Sequence, residues 1–482
     1  MAHALQKNPK ISPVVLERTN KFKRFGGPIQ LASNALQILK SMDPGLYSQI
    51  DAKFTETGDK ENGIKDGIRD EWYAKFDLAT PAKDRNMPYT GVIERPDLQE
   101  IFLDALDEGT VRNGNGISSY EVNKDGFGVR AEMEDGTSIE GDVLIGADGI
   151  WSVVRSAMRG EPAKGEGSGC SYSGYTVFAG ELAYDSFDNG KVGYKVYIGP
   201  GQYFVITDIG KGNYQWYAFL ARDPDSSETE EKPDGSVPFL ANIFEGWSKD
   251  IHHILQATKE DEIQQRDLYD RPPNVIKPWV QGPVGLIGDA VHAMMPNLGQ
   301  GGCQAIEDAY VLEQELGDLT SRHGINDSLR RYRGRRLVRS AAVQGLSRFA
   351  SDIIIRGFDT PAKITLSPFK VENFNYAGIV TRILQPILPI FFIVQFNFLY
   401  DGWENDKAFD LKNGLAFILV GFPILLVLSG TLGEIGLLGG LGADALLGTE
   451  GLVGGESVVG GEGFDAIVNT FQEVFANFGS FF

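Results

Sequence analysis

An apolar run that ends in an acid beside glycine sets a carboxylate against bare main chain. The 482-residue sequence does this most fully in "VGLIGDAVHAMMPNLGQGGCQAIEDA" (284–309). The run "VGLIG" delivers Gly288 and Asp289, Pro296 stiffens the next loop, and Gly299, Gln300, Gly301 and Gly302 open a helix. A helix start without side chains offers free N–H groups and the positive end of a dipole. That combination suits a flat, polar ring carrying negative charge, pressed against the main chain. "LIGADGIWSVVR" (144–155) repeats the theme, with Asp148 at a strand end and Gly149 letting the chain turn into a helix. "PVVLER" (13–18) is a strand ending in Glu17. Such an acid accepts hydrogen bonds from ribose hydroxyls in dinucleotide folds. Acid, glycine turn and uncapped helix together point to a dinucleotide at the crevice of an α/β sheet.

The elements that must hold these residues follow from pattern. "LASNALQILKSMD" reads as a helix with an apolar side at Leu36, Ile38 and Leu39, and "ERPDLQEIFLDAL" as a helix with Pro96 in its first turn. Lys124-Asp125-Gly126 and Glu134-Asp135-Gly136 mark hairpin turns. Between 172 and 222 the chain is rich in Tyr, Phe, Val and Trp with turn signals between, which predicts an antiparallel sheet in a second domain. A long arginine-rich helix is expected from Ser328 to Ile355. The expected division is a discontinuous dinucleotide-binding domain (1–165 and 280–325), an antiparallel-sheet substrate domain (166–279), C-terminal helices (326–405) and an apolar segment with a Gly-rich tail (406–482).

Composition narrows the partners. A net charge of −20 and a pI near 4.8 disfavour nucleic acid as a main partner. Two cysteines, Cys170 and Cys303, make neither a disulfide framework nor a CxxC zinc site, and no metal is expected. Cys303 reads as a small buried residue. No Ser-His-Asp or paired-carboxylate signature is visible, so no catalytic side chain is assigned. His292, after Gly288-Asp289, reads first as a hydrogen-bonded structural histidine and second as a contact of the bound ring or a substrate.

On these motifs the sequence resembles the group A flavoprotein monooxygenases, which bind FAD. "RFGGPIQLASNAL", "GADGIWSVVR", "SGYTVFAG", "QWYAF", "RDLYDR" and "GDAVHAMMPNLGQGGCQAIEDA" are similar to the zeaxanthin epoxidases of plants and algae, over roughly residues 1–403. The resemblance implies a Rossmann-like FAD-binding domain of the aromatic-hydroxylase type. It implies that Glu17 holds the adenosine ribose, and that Arg24 and Arg95 face the pyrophosphate or isoalloxazine. Asp289 would bind the ribitol or pyrophosphate, and residues 296–302 would line the flavin ring. It further implies reduction of FAD by NAD(P)H or a protein donor such as reduced ferredoxin, and reaction with O₂ to a flavin hydroperoxide. An electron-rich ring double bond of a carotenoid then attacks that species, taking zeaxanthin to antheraxanthin and violaxanthin in the plastid. Tyr175, Phe178, Trp216, Tyr217 and Phe219 are expected to roof an apolar substrate pocket, or to be plain core.

The family pattern opens with a strand and a G-x-G-x-x-G loop, and none stands upstream of "VVLER". "MAHALQK" reads as the back half of the helix that follows that loop. The expectation is a longer natural sequence; the alternative is a non-catalytic, membrane-associated relative that has lost FAD. A monooxygenase acting on another aromatic or isoprenoid is the other enzyme reading. A carotenoid substrate calls for contact with a membrane. "GLAFILVGFPILLVLSG" (414–430) is left as an anchor, an in-plane insertion or a buried helix. Arg330, Arg331, Arg333, Arg335, Arg336 and Arg339 are left as a lipid-facing patch or as ion-pair partners.

Overall fold

The computed structural model of the protein describes residues 1–22, 27–183, 190–199, 201–226, 232–356, 362–366, 369–374 and 388–401. The apolar segment at 414–430 and the Gly-rich tail lie outside the described residues, as does Arg24.

Outside the large sheet, the parallel strands form two short pieces. Val15–Glu17 pairs in parallel with Val111–Asn113, and Leu144–Gly146 pairs in parallel with Val284–Leu286. Among the described residues these pieces share no ladder. The alternating segment between them forms the expected meander, Ile117–Val122, Val129–Met133 and Ser138–Gly141. Gly126 and Gly136 supply the positive φ that its turns need. Helices Ser33–Met42 and Arg95–Asp104 form where periodicity predicts them, each burying an apolar stripe.

A seven-stranded sheet is the largest element. Its order is Gln264–Asp270, Ser171–Ala183, Asn213–Ala221, Gln202–Gly210, Val192–Gly199, Glu61–Asp66, Trp72–Phe76. The last two strands come from the segment assigned by sequence to the dinucleotide domain. Glu61–Asp66 joins in parallel to Val192–Gly199, so the sheet is mixed rather than purely antiparallel. Neither strand alternates cleanly enough to announce a sheet 130 residues away.

Alternation gives this sheet two distinct faces. One carries Phe178, Tyr197, Phe204 and Trp216, covered by helices Ser236–Ile243 and Lys249–Ala257 through Leu240, Phe244, Ile251 and Ile254. Gly180 is glycine because the Trp216 indole lies where its Cβ would be, 2.7 Å away. The other face carries Tyr175, Val177, Tyr203, Val205 and Phe219, and meets Met295 of the glycine-rich loop.

Two helices close the back of the site, Gly301–Gly317 and the 32-residue Ile325–Arg356. The arginines at the start of the second helix divide. Arg330 pairs with Asp327, and Arg331 and Arg335 pair with Glu315. Arg333 reaches the Val275 carbonyl. Arg336 and Arg339 are buried in ion pairs with Glu307 and Asp308, which excludes them from any lipid-facing patch. Arg339 also donates to the Phe398 and Leu399 carbonyls at the end of helix Leu388–Tyr400. Arg85 grips Asp401 just beyond it with two hydrogen bonds, 2.6 and 2.8 Å. No helix among the described residues is long and apolar enough to cross a membrane.

Candidate cofactor and substrate site

The two acid–glycine stretches lie side by side. The Ile287 N–H donates to the Gly146 carbonyl at 3.0 Å, joining the ends of their strands. The buried Arg155 guanidinium then spans both turns, donating to the Ile150 and Ala290 carbonyls, each at 2.9 Å. Asp148 is spent on building this corner. Its oxygens accept from the Ser152 hydroxyl and from the Val153 and Val154 amides at the start of helix Val153–Arg159. Gly149 turns with φ +76°.

Asp289 differs. Gly288, at φ +58° and ψ −141°, turns the chain so that Asp289 opens a short helix with its side chain exposed. The Gly288 amide is held from behind by Asp308 Oδ2 at 2.8 Å.

Beyond it the chain forms a single turn, Pro296–Leu298, and enters helix Gly301–Gly317. Three of its glycines have different reasons. Gly299 has φ +61°, and its Cβ would fall 2.7 Å from the Gln30 side chain; at Gly302 a Cβ would strike Ile29 at 2.8 Å. Those two are required by the protein's own packing. At Gly301 the nearest atom to a Cβ, in Met294, is 4.0 Å away. The helix start has no side-chain cap and no acid in its first turn. Its N–H groups and the open side of Gly301 fit an anionic or electron-rich ring such as that of reduced FAD. Gln300 is buried and receives the Asn34 amide at 3.3 Å.

Cys303 is fully buried, accepts the Ala32 amide, and has its ionisation pushed up to about 12 by burial, so it is the small core residue expected. His292 is also fully buried, with Nε2 2.6 Å from Asp308 Oδ2. It belongs to a chain of charges that the sequence reading missed. Arg336 donates to Asp308 and Glu307, Arg339 holds Glu307 with two bonds, and Asn34 adds a third. Burial alone would raise both carboxyls, but His292 and Arg336 at Asp308, and Arg339 and Arg336 at Glu307, hold each down at about 2. The available signal was the Glu-Asp pair inside an apolar helical pattern, with Arg336 and Arg339 one turn apart on the next helix.

Glu17 ends its strand with Oε1 engaged by the Thr19 amide and hydroxyl. Arg95 opens helix Arg95–Asp104 and is exposed. Its neighbours Glu94 and Pro96 line a polar cavity of about 240 Å³ with Gly27, Glu181, Gln215 and Tyr217. Burial raises the Tyr217 hydroxyl's ionisation, while Arg95 and Arg266 pull it down.

The five aromatics expected to roof a substrate divide by sheet face. Tyr175 and Phe219 lie on the face toward Met295, with Tyr217 packed against them. Phe178 and Trp216 lie on the opposite face, sealed under the two helices, and line no space in common with the other three. Strand alternation alone decides this. On the face toward Met295, Tyr203 was not singled out by sequence, and Asn297 was included only within the 296–302 stretch expected at the flavin ring. Tyr203 stacks on Phe219 at 4.2 Å between centroids, and Asn297 follows Pro296 in the loop. The register placing Tyr203 opposite Phe219 was not readable from one strand.

Residues 13–347 match the family model described as FAD binding domain. The chain is 41% identical over 335 residues to the chloroplastic zeaxanthin epoxidase of Spinacia oleracea, spanning 68% of this chain and 48% of that protein. It is 38% identical over 416 residues to that of Nicotiana plumbaginifolia, spanning 84% and 56%. The chain thus covers about half the length of the curated relatives it matches. Among solved structures, Klebsiella pneumoniae HpxO complexed with FAD and uric acid aligns with TM-score 0.64 and 24% identity, over 73% of this chain and 85% of that one. A salicylate hydroxylase substrate complex aligns with TM-score 0.64 and 21% identity, over 83% and 92%. These two likenesses are of fold.

Proposed function

This chain belongs to the FAD-binding domain family, and on that premise we propose that it is an FAD-dependent monooxygenase that epoxidises a ring double bond of a xanthophyll. The substrate is zeaxanthin, the products are antheraxanthin and violaxanthin, the site of action is the plastid, and the electrons come from NAD(P)H or a reduced protein donor. The observation that carries the reading is the uncapped helix start at Gly301, set beside the Tyr175–Tyr203–Phe219 face of the large sheet. The likeness to chloroplastic zeaxanthin epoxidases supports the substrate.

When bound, FAD supplies the oxygen-activating chemistry. The protein's residues hold and shelter it. The exposed Asp289 carboxylate accepts from ribityl hydroxyls, Glu17 accepts from the adenosine ribose, and Arg95 balances phosphate or ring charge. The amides of Gly301 and Gly302 stabilise negative charge on the ring. The aromatic face excludes water and orients the alkene. No side chain is assigned a proton-transfer role.

Incubating the full-length protein with FAD, O₂, a reductant and zeaxanthin, with pigment analysis by chromatography, tests the reading. Mono- and di-epoxides are the expected products. Reoxidation of the reduced flavin by O₂ with zeaxanthin recovered unchanged would end it.

A further inference from the structure

The chain is strongly acidic, yet beside the loop 160–170 four cations face one carboxylate. Glu161 accepts from Lys277 Nζ at 2.7 Å, Arg271 Nη2 at 3.1 Å and Arg155 Nε at 3.3 Å, and Arg159 Nη1 lies 3.7 Å away. The three arginine side chains are buried, and Lys277 stands 40% exposed at the mouth. Among the described residues no other acid pairs with them. Buried charge lacking a counter-charge is costly. The arginines register that cost: burial first, then their neighbours, lowers the ionisation of Arg155 and takes that of Arg159 down to about 10. Arg155 Nη2 is buried and has no partner.

Part of this charge is spent nearby. Arg159 gives Nε and Nη2 to the Pro278 carbonyl, Arg155 gives Nη1 to the Ile150 and Ala290 carbonyls, and Arg271 gives Nη1 to Cys170 Sγ at 3.0 Å. Arg271 Nη2 and Lys277 Nζ each carry more hydrogens than Glu161 takes. Gly169 adjoins both of them. It is exposed, with φ +72°, and a Cβ there would fall 2.9 Å from Arg271 Nη2 and 3.6 Å from Lys277 Nζ. The place of the missing side chain is therefore a seat open to solvent, within reach of two cationic donors. A guanidinium and an ammonium side by side match an anion with several acceptor oxygens, and a phosphate has that form.

We propose that Arg271 and Lys277 hold a phosphate group in the seat left by Gly169, with Arg155 and Arg159 supplying the surrounding positive field. The site does not depend on the epoxidase reading. Glu161 organises the four cations and is outnumbered by them, so a bound phosphate supplies the counter-charge that the cluster lacks. The group can arrive on a soluble molecule or on a lipid. Val275 and Ile276 stand exposed just before Lys277, Ile276 by 87%, in a tip fixed by the Ile276 and Lys277 amides donating to Asn274 Oδ1. A lipid phosphate in the seat would bring its acyl chains toward that apolar tip. The recognised chemistry is the same in both cases.

The test titrates inorganic phosphate by calorimetry, at constant ionic strength, into the full-length, FAD-loaded protein, whose cofactor keeps its own phosphate contacts filled. A second arm measures retention on phosphatidylglycerol vesicles, with digalactosyldiacylglycerol vesicles as the phosphate-free control. Free phosphate is expected to bind with a Kd of about 1 mM. Two surface variants probe the seat: Lys277→Gln removes a donor, and Gly169→Asp places a carboxylate where the phosphate would sit. Each should weaken binding at least about tenfold without lowering the thermal midpoint. Free phosphate bound with no vesicle retention assigns a soluble source. Vesicle retention that falls in both variants and in Ile276→Ser assigns the lipid. Binding in neither arm, equal heats from chloride, or wild-type binding by both seat variants would overturn the assignment.

Discussion

The two faces of the seven-stranded sheet are both aromatic and differ in what covers them. Under the helices, the Trp216 indole N–H donates to Thr258 Oγ1 at 2.9 Å, and the Tyr197 hydroxyl donates to Asp250 at 2.9 Å. Against the glycine-rich loop, the Tyr203 hydroxyl and the Asn297 amide meet each other without a bond of good geometry. Packing thus says little about which face works, since both bury large rings. What separates them is what each meets: two helices cover one, and Met295 of the glycine-rich loop packs on the other.

The strongest way to break that comparison is to remove a ring from each face. Trp216→Ala should destabilise the protein by about 3–5 kcal/mol, read as a drop in the urea midpoint. Phe219→Ala, on the face toward Met295, is buried as well and should also destabilise, and in addition it should weaken substrate binding. Unchanged substrate binding by that variant would show that the faces are not functionally distinct.

The charged groups behind the glycine-rich loop show the same division, and acid tests it. Glu307 and Asp308 are fully paired, and their carboxyls lie lowered from the ordinary 4.5 and 3.8 to about 2. A depressed carboxyl stabilises the fold above its unfolded value, and loses that contribution as pH falls through its folded value. Stability from these two groups should therefore be complete above about pH 5 and disappear between pH 4.5 and 2, about 2 kcal/mol for Asp308 and about 3 for Glu307. Arg339→Met should remove much of the Glu307 share and flatten that part of the curve. Asp289→Asn, at the exposed carboxylate, should weaken FAD binding. An acid profile that Arg339→Met leaves untouched would refute the assignment.

Within the loop, alanine sharpens the contrast residue by residue. Gly299→Ala meets a left-handed φ and the Gln30 side chain, and should cost about 1–2 kcal/mol. Gly301→Ala meets open space in a helical first turn and should be neutral or gain up to about 1 kcal/mol. Yet it should reduce FAD affinity, measured by flavin titration, because its methyl group enters the space assigned to the ring. If Gly301→Ala binds FAD as the wild type does, the ring lies elsewhere.

Most of this frame was legible in the sequence for a physical reason. Gly288-Asp289, Asp148-Gly149 and Glu17 are local patterns, in which a turn and a carboxylate are fixed by neighbours in the chain. What escaped was set by partners distant in sequence. The pairing of Glu61–Asp66 with Val192–Gly199, the Tyr203–Phe219 stack and the Glu307–Arg339 pair each need a register or a helix packing that no local period encodes. The separation of Trp216 from Tyr217 was within reach. Adjacent residues of a strand point to opposite faces, so "QWYAF" offers at most three of its side chains to one ligand.

The smallest expected effect is the most discriminating. Trp216→Phe and Tyr203→Phe each remove one polar atom from a buried aromatic of the same sheet. On the closed face the deletion breaks a made bond, and it also trims ring volume. Thr258 Oγ1 still donates to the Ile254 carbonyl, so the loss should stay near 1–2 kcal/mol. On the face toward Met295 the deleted hydroxyl loses only a poorly formed contact with Asn297, and its desolvation penalty disappears with it. Tyr203→Phe should be neutral or stabilising by up to about 1 kcal/mol in the ligand-free protein. Opposite signs for the two phenylalanine variants is the pattern that a well-made bond on one face and a poor contact on the other require. A loss at Tyr203 as large as that at Trp216 would show the two polar atoms to be equally well bonded.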